Sequence, residues 1–309
     1  MRSNSSRFWD ELYETVLRDG EEVSPRGRKT LEVTNAMYQA GSLEHFDDRS
    51  GRNISLPYIF REFLWFVKGD RFDTRMTEYA PLWRQCVDPN GGINSNYGQY
   101  LFGPQPGFDC PFFHALDHIV KDRDSRRAWI AIFQEWHQQP DVEWDIIGDE
   151  LVGPVQEFEH PEVPCTTGMG FRLRNGELLM NVHMRSQDLW HGAANDEGVC
   201  YLLQLMAVAY LNANGVDCVP GPITHYVDSL HFYERHWDKA RAAIGSPERE
   251  EVKRAIQVAR AGFTTADLRI LRGVRREGDE PGPLLKMVLD IPGILGIESG
   301  EFIPPPVVS

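Results

Sequence analysis

Asn175-Gly176, set between Phe171–Leu173 and Glu177–Met184, constrains this chain more than any other pair of residues. The dipeptide suits the two positive-φ positions of a type I′ turn, whose twist matches that of the strands it joins. A two-residue loop of this kind dictates an antiparallel hairpin. The apolar period then changes from two to about 3.6. Val199, Leu202, Leu203, Met206, Ala209 and Tyr210 line one side of a helix expected over 196–214, closed by Gly215. Two more helices are expected over 8–18, stopped by Gly20, and over 57–68, opened by Pro57 and followed by Gly69. Residues 111–121 read as helical, whereas 126–136 fit either a helix or a strand. The Pro, Gly and Asn of 81–103 predict a long ordered loop. Pro-Gly-Pro at 220–222 is expected to break the chain before a strand over 225–233, and 302–309 reads as an extended apolar tail. Helices and antiparallel strands without regular alternation make an α+β fold in one domain spanning 1–309.

Charge narrows the function classes. The 309 residues carry 46 acidic and 32 basic side chains, a formal net charge of −14. Nucleic-acid coats cluster positive charge, so no nucleic-acid partner is expected; a local pocket for one phosphate remains compatible. Eight Trp, sixteen Phe and ten Tyr oppose disorder. The polar start, MRSNSSRFWDELYETVLRDG, lacks an apolar segment of signal-peptide length, and no apolar run reaches membrane-spanning length. Five scattered cysteines (Cys86, Cys110, Cys165, Cys200 and Cys218) contain no CxxC pair. A reduced, cytoplasmic protein is expected, without a disulfide framework or a membrane partner.

Several residues carry candidate chemistry. Cys165, in Val-Pro-Cys-Thr-Thr, is either a nucleophile whose thiolate a cation supports or a buried structural cysteine. Arg185-Ser186, Arg26 and Arg126-Arg127 suit phosphate through charge-assisted hydrogen bonds, or are ordinary surface residues. His114 and His118 stand four apart, but HALDH lacks the glutamate of HExxH, and no metal is expected. Asp196 is either a favourable carboxylate at a helix start or a functional group.

The run PCTTGMGFRLRNGELLMNVHMRSQDLWHGAANDEGVCYLLQ, followed by DSLHFYERHWD, resembles the thymidylate synthase superfamily. So do REFLWFVKGD, Asn96-Tyr97-Gly98 and DSRR at 124–127, in family order from Arg26 to Trp237; the part after 240 diverges. The resemblance implies a mixed sheet flanked by helices and a sheet-mediated homodimer. It further implies a pyrimidine nucleoside monophosphate as substrate and 5,10-methylenetetrahydrofolate as co-substrate. By position, Cys165 falls on the nucleophile and Glu62 on the proton-transfer carboxylate. Arg26, Arg185 and Ser186 fall on phosphate positions, and Arg126 and Arg127 on the pair given by the partner subunit. His231 and Tyr233 fall on the sugar-hydroxyl pair, Asp188 on a residue lining pyrimidine and folate, and Trp83 and Tyr97 near the folate and base walls.

Two departures bear on the base. Asp196 stands where thymidylate synthases carry an Asn that reads the uracil edge, and Thr166 replaces the His that follows the nucleophile. Cytosine presents an acceptor at N3 and a donor amine at C4, a pattern that a protonated Asp complements. The resemblance therefore implies the branch that 5-hydroxymethylates cytidylate or deoxycytidylate, with Asp196 as a catalytic and base-reading residue. Thymidylate synthesis from dUMP, with release of dihydrofolate, is the alternative activity; a non-catalytic nucleotide-binding protein is a third.

Overall fold

The computed structural model describes residues 3–41, 44–104, 110–134, 137 and 161–290, and the backbone course of 141–147 and 150–158. Helix α1 (Asn4–Asp19) starts on Ser3, whose side chain accepts from Ser6 N. Helix α2 (Leu56–Lys68) is capped by Ser55, carries Pro57 in its first turn and ends at Gly69 in the left-handed region, φ 68°. A Cβ there would meet Gly103 N at 2.7 Å, so close backbone approach as well as conformation requires glycine.

The strands are β1 (Glu21–Val23), β2 (Thr30–Ala40), β3 (Trp129–Ala131), a separate pair β4 (Asp141–Ile147) and β5 (Glu150–Phe158), then β6 (Thr166–Arg174), β7 (Glu177–Met184), β8 (Gln187–Asp188) and β9 (Val219–Tyr233). The main sheet runs β1-β2-β9-β7-β6-β3, with β8 also pairing β9. Asn175 and Gly176 adopt φ 52° and 79° between β6 and β7, as the hairpin turn demands. Pairing is antiparallel except where β9 meets β7 and β8. A parallel neighbour needs a crossover, and α6 (Ala193–Ala213) provides it. This helix is buried on nearly every side, against the sheet and against α2, α5 (Pro111–Lys121) and α9 (Thr265–Leu271).

Three expectations change, and the helix-or-strand alternative at 126–136 is settled. Helix α6 begins three residues earlier than expected, at Ala193, so Asp196 does not open it. The Pro-Gly-Pro segment lies inside β9 instead of ahead of it. There β9 has run past the end of β2, whose last pair is Ala40↔Ile223, and prolines without an N–H are tolerated on such an edge. The 81–103 stretch contains a 3-10 turn (Pro81–Gln85) and a short helix α4 (Gly98–Leu101), preceded by α3 (Met76–Tyr79). Within 126–136 the described structure is the strand β3, not a helix. The tail at 302–309 lies outside the described residues.

Beyond 236 come α7 (Trp237–Ala243), α8 (Glu250–Ala259), α9 and α10 (Pro283–Leu289). Phe263 stacks on Phe63 of α2 at 5.6 Å, and Val252, Leu268 and Leu284 join the same hydrophobic core as the sheet. No helix among the described residues is long and apolar enough to cross a membrane.

Candidate active site

Cys165 immediately precedes β6, and Arg185 immediately follows β7. The hairpin therefore brings the two together: Arg185 N donates to Cys165 O at 2.9 Å. Its guanidinium donates to Pro164 O (2.9 Å) and Val163 O (2.8 Å), and Nη2 lies 3.8 Å from Cys165 Sγ. Tyr97 Oη accepts from Cys165 N at 3.2 Å and Thr166 N at 3.3 Å, fixing the loop from the other side. Burial pushes the Cys165 thiol up; Arg185 opposes it, Asp196 and Glu162 add to it, and Arg26 subtracts.

Glu62 projects from α2 and is 5% exposed. Tyr58, one turn earlier, donates to its Oε1 at 2.9 Å, and Trp83 Nε1 donates to Tyr58 Oη at 3.1 Å. Its Oε2 has no hydrogen-bond partner among the described residues. Burial, with the negative charge of Asp196 added, pushes the carboxyl up to about 8 against the Tyr58 hydrogen bond. Glu62 is thus a carboxylic acid at neutral pH with one oxygen uncommitted.

Asp196 is half-buried in the first turn of α6, and its own N–H is spent on Gly192 O at 2.9 Å. Its carboxylate does not cap the helix; Gly192 holds the cap position, and Asp196 Oδ2 accepts from Gln187 Nε2 at 3.3 Å. Gln187 is held in turn by Tyr38, whose Oη donates to Oε1 at 2.8 Å. Adjacent Asn195 turns away, donating to His191 O at 2.8 Å. A Cβ at Gly192 would lie 3.1 Å from Asp196 Oδ2, so glycine keeps room for the carboxylate. Burial raises the Asp196 carboxyl; Gln187 and His225 lower it, and Glu197 and Asp188 raise it further. Beneath it, fully buried Glu197 lies between His45 Nδ1 (2.7 Å) and His225 Nε2 (2.5 Å). Asp196 is also among the charges acting on Cys165, Glu62, Tyr58 and Tyr97, so these groups form one cluster.

Residues 7–272 match the family profile described as thymidylate synthase. The chain belongs to the thymidylate synthase family. The match runs past both ends of the 26–237 stretch that carries the resemblance in the sequence. A curated relative, a deoxyuridylate hydroxymethyltransferase of Bacillus phage SP01, is 24% identical over 240 residues, 75% of this chain. The chain spans 57% of that relative's length.

Other expected site residues of this thymidylate synthase family member take varied positions. Ser186 is half-buried beside Arg185. Asp188 Oδ1 accepts from Trp190 N (2.8 Å) and His191 N (3.2 Å), holding the turn into α6. His231 is buried edge-to-face on Tyr233 at 5.1 Å, and its carbonyl accepts from Leu189 N at 2.8 Å. Arg26 is exposed in the 3-10 turn Pro25–Gly27 with φ 52°, close enough to act on Cys165. Arg126 and Arg127 are exposed ahead of β3, and no described contact brings them to Cys165 within one chain. Tyr38, Tyr58, Gln187, His45, Glu197 and His225 were not foreseen from sequence. Only Gln187 carried a signal, its place between Ser186 and Asp188.

Proposed function

We propose that this protein transfers a one-carbon unit to C5 of a cytosine nucleoside monophosphate, dCMP or CMP, and hydrates it to the 5-hydroxymethyl product. The observation that carries the choice of base is Asp196, the carboxyl that faces the Cys165–Glu62 cluster where a neighbouring Asn195 turns outward. Burial and the charge of Glu197 favour its neutral form, which offers one donor and one acceptor to the N3 and amine edge of cytosine. The phage relative is named for deoxyuridylate, so likeness to it supports hydroxymethylation without choosing cytosine.

In this reading Arg26, Arg185 and Ser186 bind the phosphate, and His231 and Tyr233 the sugar hydroxyl. 5,10-Methylenetetrahydrofolate fits beside the uncommitted Glu62 Oε2 and the rings of Trp83 and Tyr97, with Asp188 at the edge; when bound, it supplies the carbon that C5 acquires. The Cys165 thiolate adds to C6 and makes C5 nucleophilic. Arg185 stabilises that thiolate against the burial that disfavours it. Once C5 has bonded that carbon, loss of the C5 proton and departure of tetrahydrofolate with the C–N bonding pair leave an exocyclic methylene on the nucleotide. Glu62 orients the water that adds to this carbon, and Cys165 leaves C6 with its bonding pair as the C5–C6 double bond returns.

Dimer formation belongs to the same proposal. Across the sheet, Met37 pairs Tyr226, Tyr226 pairs and stacks on His183 at 4.7 Å, and Trp129 meets His183 edge-on at 5.0 Å. Met37, Trp129 and Tyr226 are 66%, 41% and 39% exposed, an unusual amount of uncovered apolar surface on one face. A second copy covering it would place Arg126 and Arg127, which adjoin β3, at the partner's phosphate.

The test is product analysis with methylenetetrahydrofolate and each nucleotide. The expected product is the cytosine nucleotide plus CH2O, without the near-ultraviolet rise of dihydrofolate. Faster reaction of dUMP with that rise would make thymidylate synthesis the activity. Absence of C5 hydrogen exchange on either nucleotide would favour a non-catalytic binding protein.

A further inference from the structure

A neutral carboxylic acid is ambivalent. Turned one way its O–H and C=O complement cytosine; with the proton on the other oxygen they complement uracil. Asp196 alone therefore does not select a base. Something must decide which of its two oxygens keeps the proton.

We propose that Gln187 is a specificity-determining positioning residue, locked by Tyr38, which assigns the donor and acceptor roles of the two Asp196 oxygens. The inference rests on the reading of Asp196 as the residue at the base edge. Tyr38 Oη, buried on β2, donates to Gln187 Oε1 at 2.8 Å. Its ring is stacked on His225, its partner across β2 and β9, at 4.7 Å and 11° between planes. That ring has no freedom to aim the hydroxyl elsewhere. Gln187 is 2% exposed in β8, so its amide is fixed as well. With Oε1 spent on Tyr38, only the Nε2 hydrogens face Asp196 Oδ2, 3.3 Å away.

Direction then propagates. Oδ2 is held as an acceptor, and the proton of the neutral acid resides on Oδ1. Oδ1–H donates to cytosine N3, while Oδ2 accepts from the 4-amine as well as from Gln187. Uracil needs the reverse arrangement, an acceptor for N3–H and a donor for O4. Reversing the relay would turn the Gln187 amide over and leave the Tyr38 proton buried without an acceptor, an outcome that folded proteins avoid.

Two substitutions test the relay, read as the ratio of kcat/KM for cytosine over uracil nucleoside monophosphates. Tyr38→Phe keeps the ring on His225 and frees the amide to turn; the ratio is expected to fall about tenfold, the effect of one mis-set buried hydrogen bond. Gln187→Glu accepts from Tyr38 through one oxygen and demands a proton from Asp196 Oδ2 at the other, so a larger fall is expected. Equal losses on both bases, with the ratio unchanged in Tyr38→Phe and Gln187→Glu, would reduce Gln187 to a structural contact and overturn the proposal. Thermal midpoints show whether each variant is folded, and Tyr38→Phe, the milder change, decides if the other is not. A wild-type ratio favouring uracil would refute the proposed base; the relay would still stand or fall on whether these substitutions move the ratio.

Discussion

Asp196 and Glu197, neighbours in the chain, have carboxyls driven in opposite directions. Burial disfavours charge on both, but His225 and His45 reverse the balance for Glu197 and hold its carboxyl at about 2. Among the described residues the Asp196 carboxyl has Gln187 alone as a hydrogen-bond partner, and it is raised. One charge is therefore fixed on the core side of the pair, while burial and that charge shift the adjacent acid toward its neutral form on the cleft side.

Glu197→Gln should destabilise the protein by about 3–5 kcal/mol, as expected for one partner removed from a buried charged cluster. The folded carboxyl, at about 2, lies below its ordinary 4.5, so its contribution is complete above pH 4.5 and fades as pH falls toward 2. Urea unfolding at pH 7 and near pH 3 should show the gap between wild type and variant narrowing in acid. Equal stability at pH 7 would contradict the cluster.

Glu62 gives the opposite sign. Its folded carboxyl, at about 8, lies above the ordinary 4.5, so it binds more protons folded than unfolded between these values and stability falls as pH rises through them. Glu62→Gln removes that loss. The variant should match wild type near pH 4.5 and exceed it by up to about 5 kcal/mol at pH 9, while losing turnover. Thermal melts at the two pH values measure this; a gap independent of pH would mean that Glu62 is ionised when folded.

Cys165 is held as a thiol by burial, with Arg185 the nearest opposing charge. Alkylation of the Cys165 peptide by iodoacetamide, followed by mass spectrometry, should be slow at pH 7 and rise about tenfold per pH unit toward alkaline pH. Arg185→Gln should slow it at every pH. Cys165→Ala should abolish both turnover and C5 hydrogen exchange, and retained turnover would sink the covalent mechanism.

Tyr226→Glu should separate the proposed dimer into monomers on light-scattering chromatography, because it puts charge in the middle of the exposed Met37–Tyr226–His183–Trp129 face. Inactive Cys165→Ala and Arg126→Ala/Arg127→Ala chains, mixed and reassociated, should recover about one quarter of wild-type activity through half-intact heterodimers. No recovery would place those arginines outside the partner's site.

The parts legible in the sequence were those encoded locally. Asn175-Gly176 dictated its hairpin, and Pro57 with Gly69 bracketed α2, because a turn or cap needs only its own few residues. The start of β9 is not legible locally, because proline disfavours a strand paired on both sides and only the sheet shows that 219–222 pairs β7 while running beyond β2. The position of Asp196 followed from its spacing to Arg185, but its surroundings did not. Tyr38 and Gln187 are 149 residues apart, and His45 and Glu197 are 152 apart. Each of these polar residues alone has an ordinary role in a strand, helix or loop, so no local pattern marks the pairing.

The central claim is that Asp196, its two oxygens ordered by Gln187, makes this a cytosine enzyme. Its most direct test is kcat/KM for the cytosine and uracil nucleoside monophosphates in wild type and in Asp196→Ala, because an Asn held by Gln187 would still present an acceptor and a donor in the same order. Loss of the donor and acceptor that pair the cytosine edge costs about 1–3 kcal/mol, so the cytosine-over-uracil ratio should fall by one to two decades. Asp196 does not cap α6, so a purely structural side chain at this position predicts equal losses on both bases and an unchanged ratio. Wild type preferring cytosine and the variant losing that preference is the predicted result; unchanged selectivity between the two proteins would contradict the account.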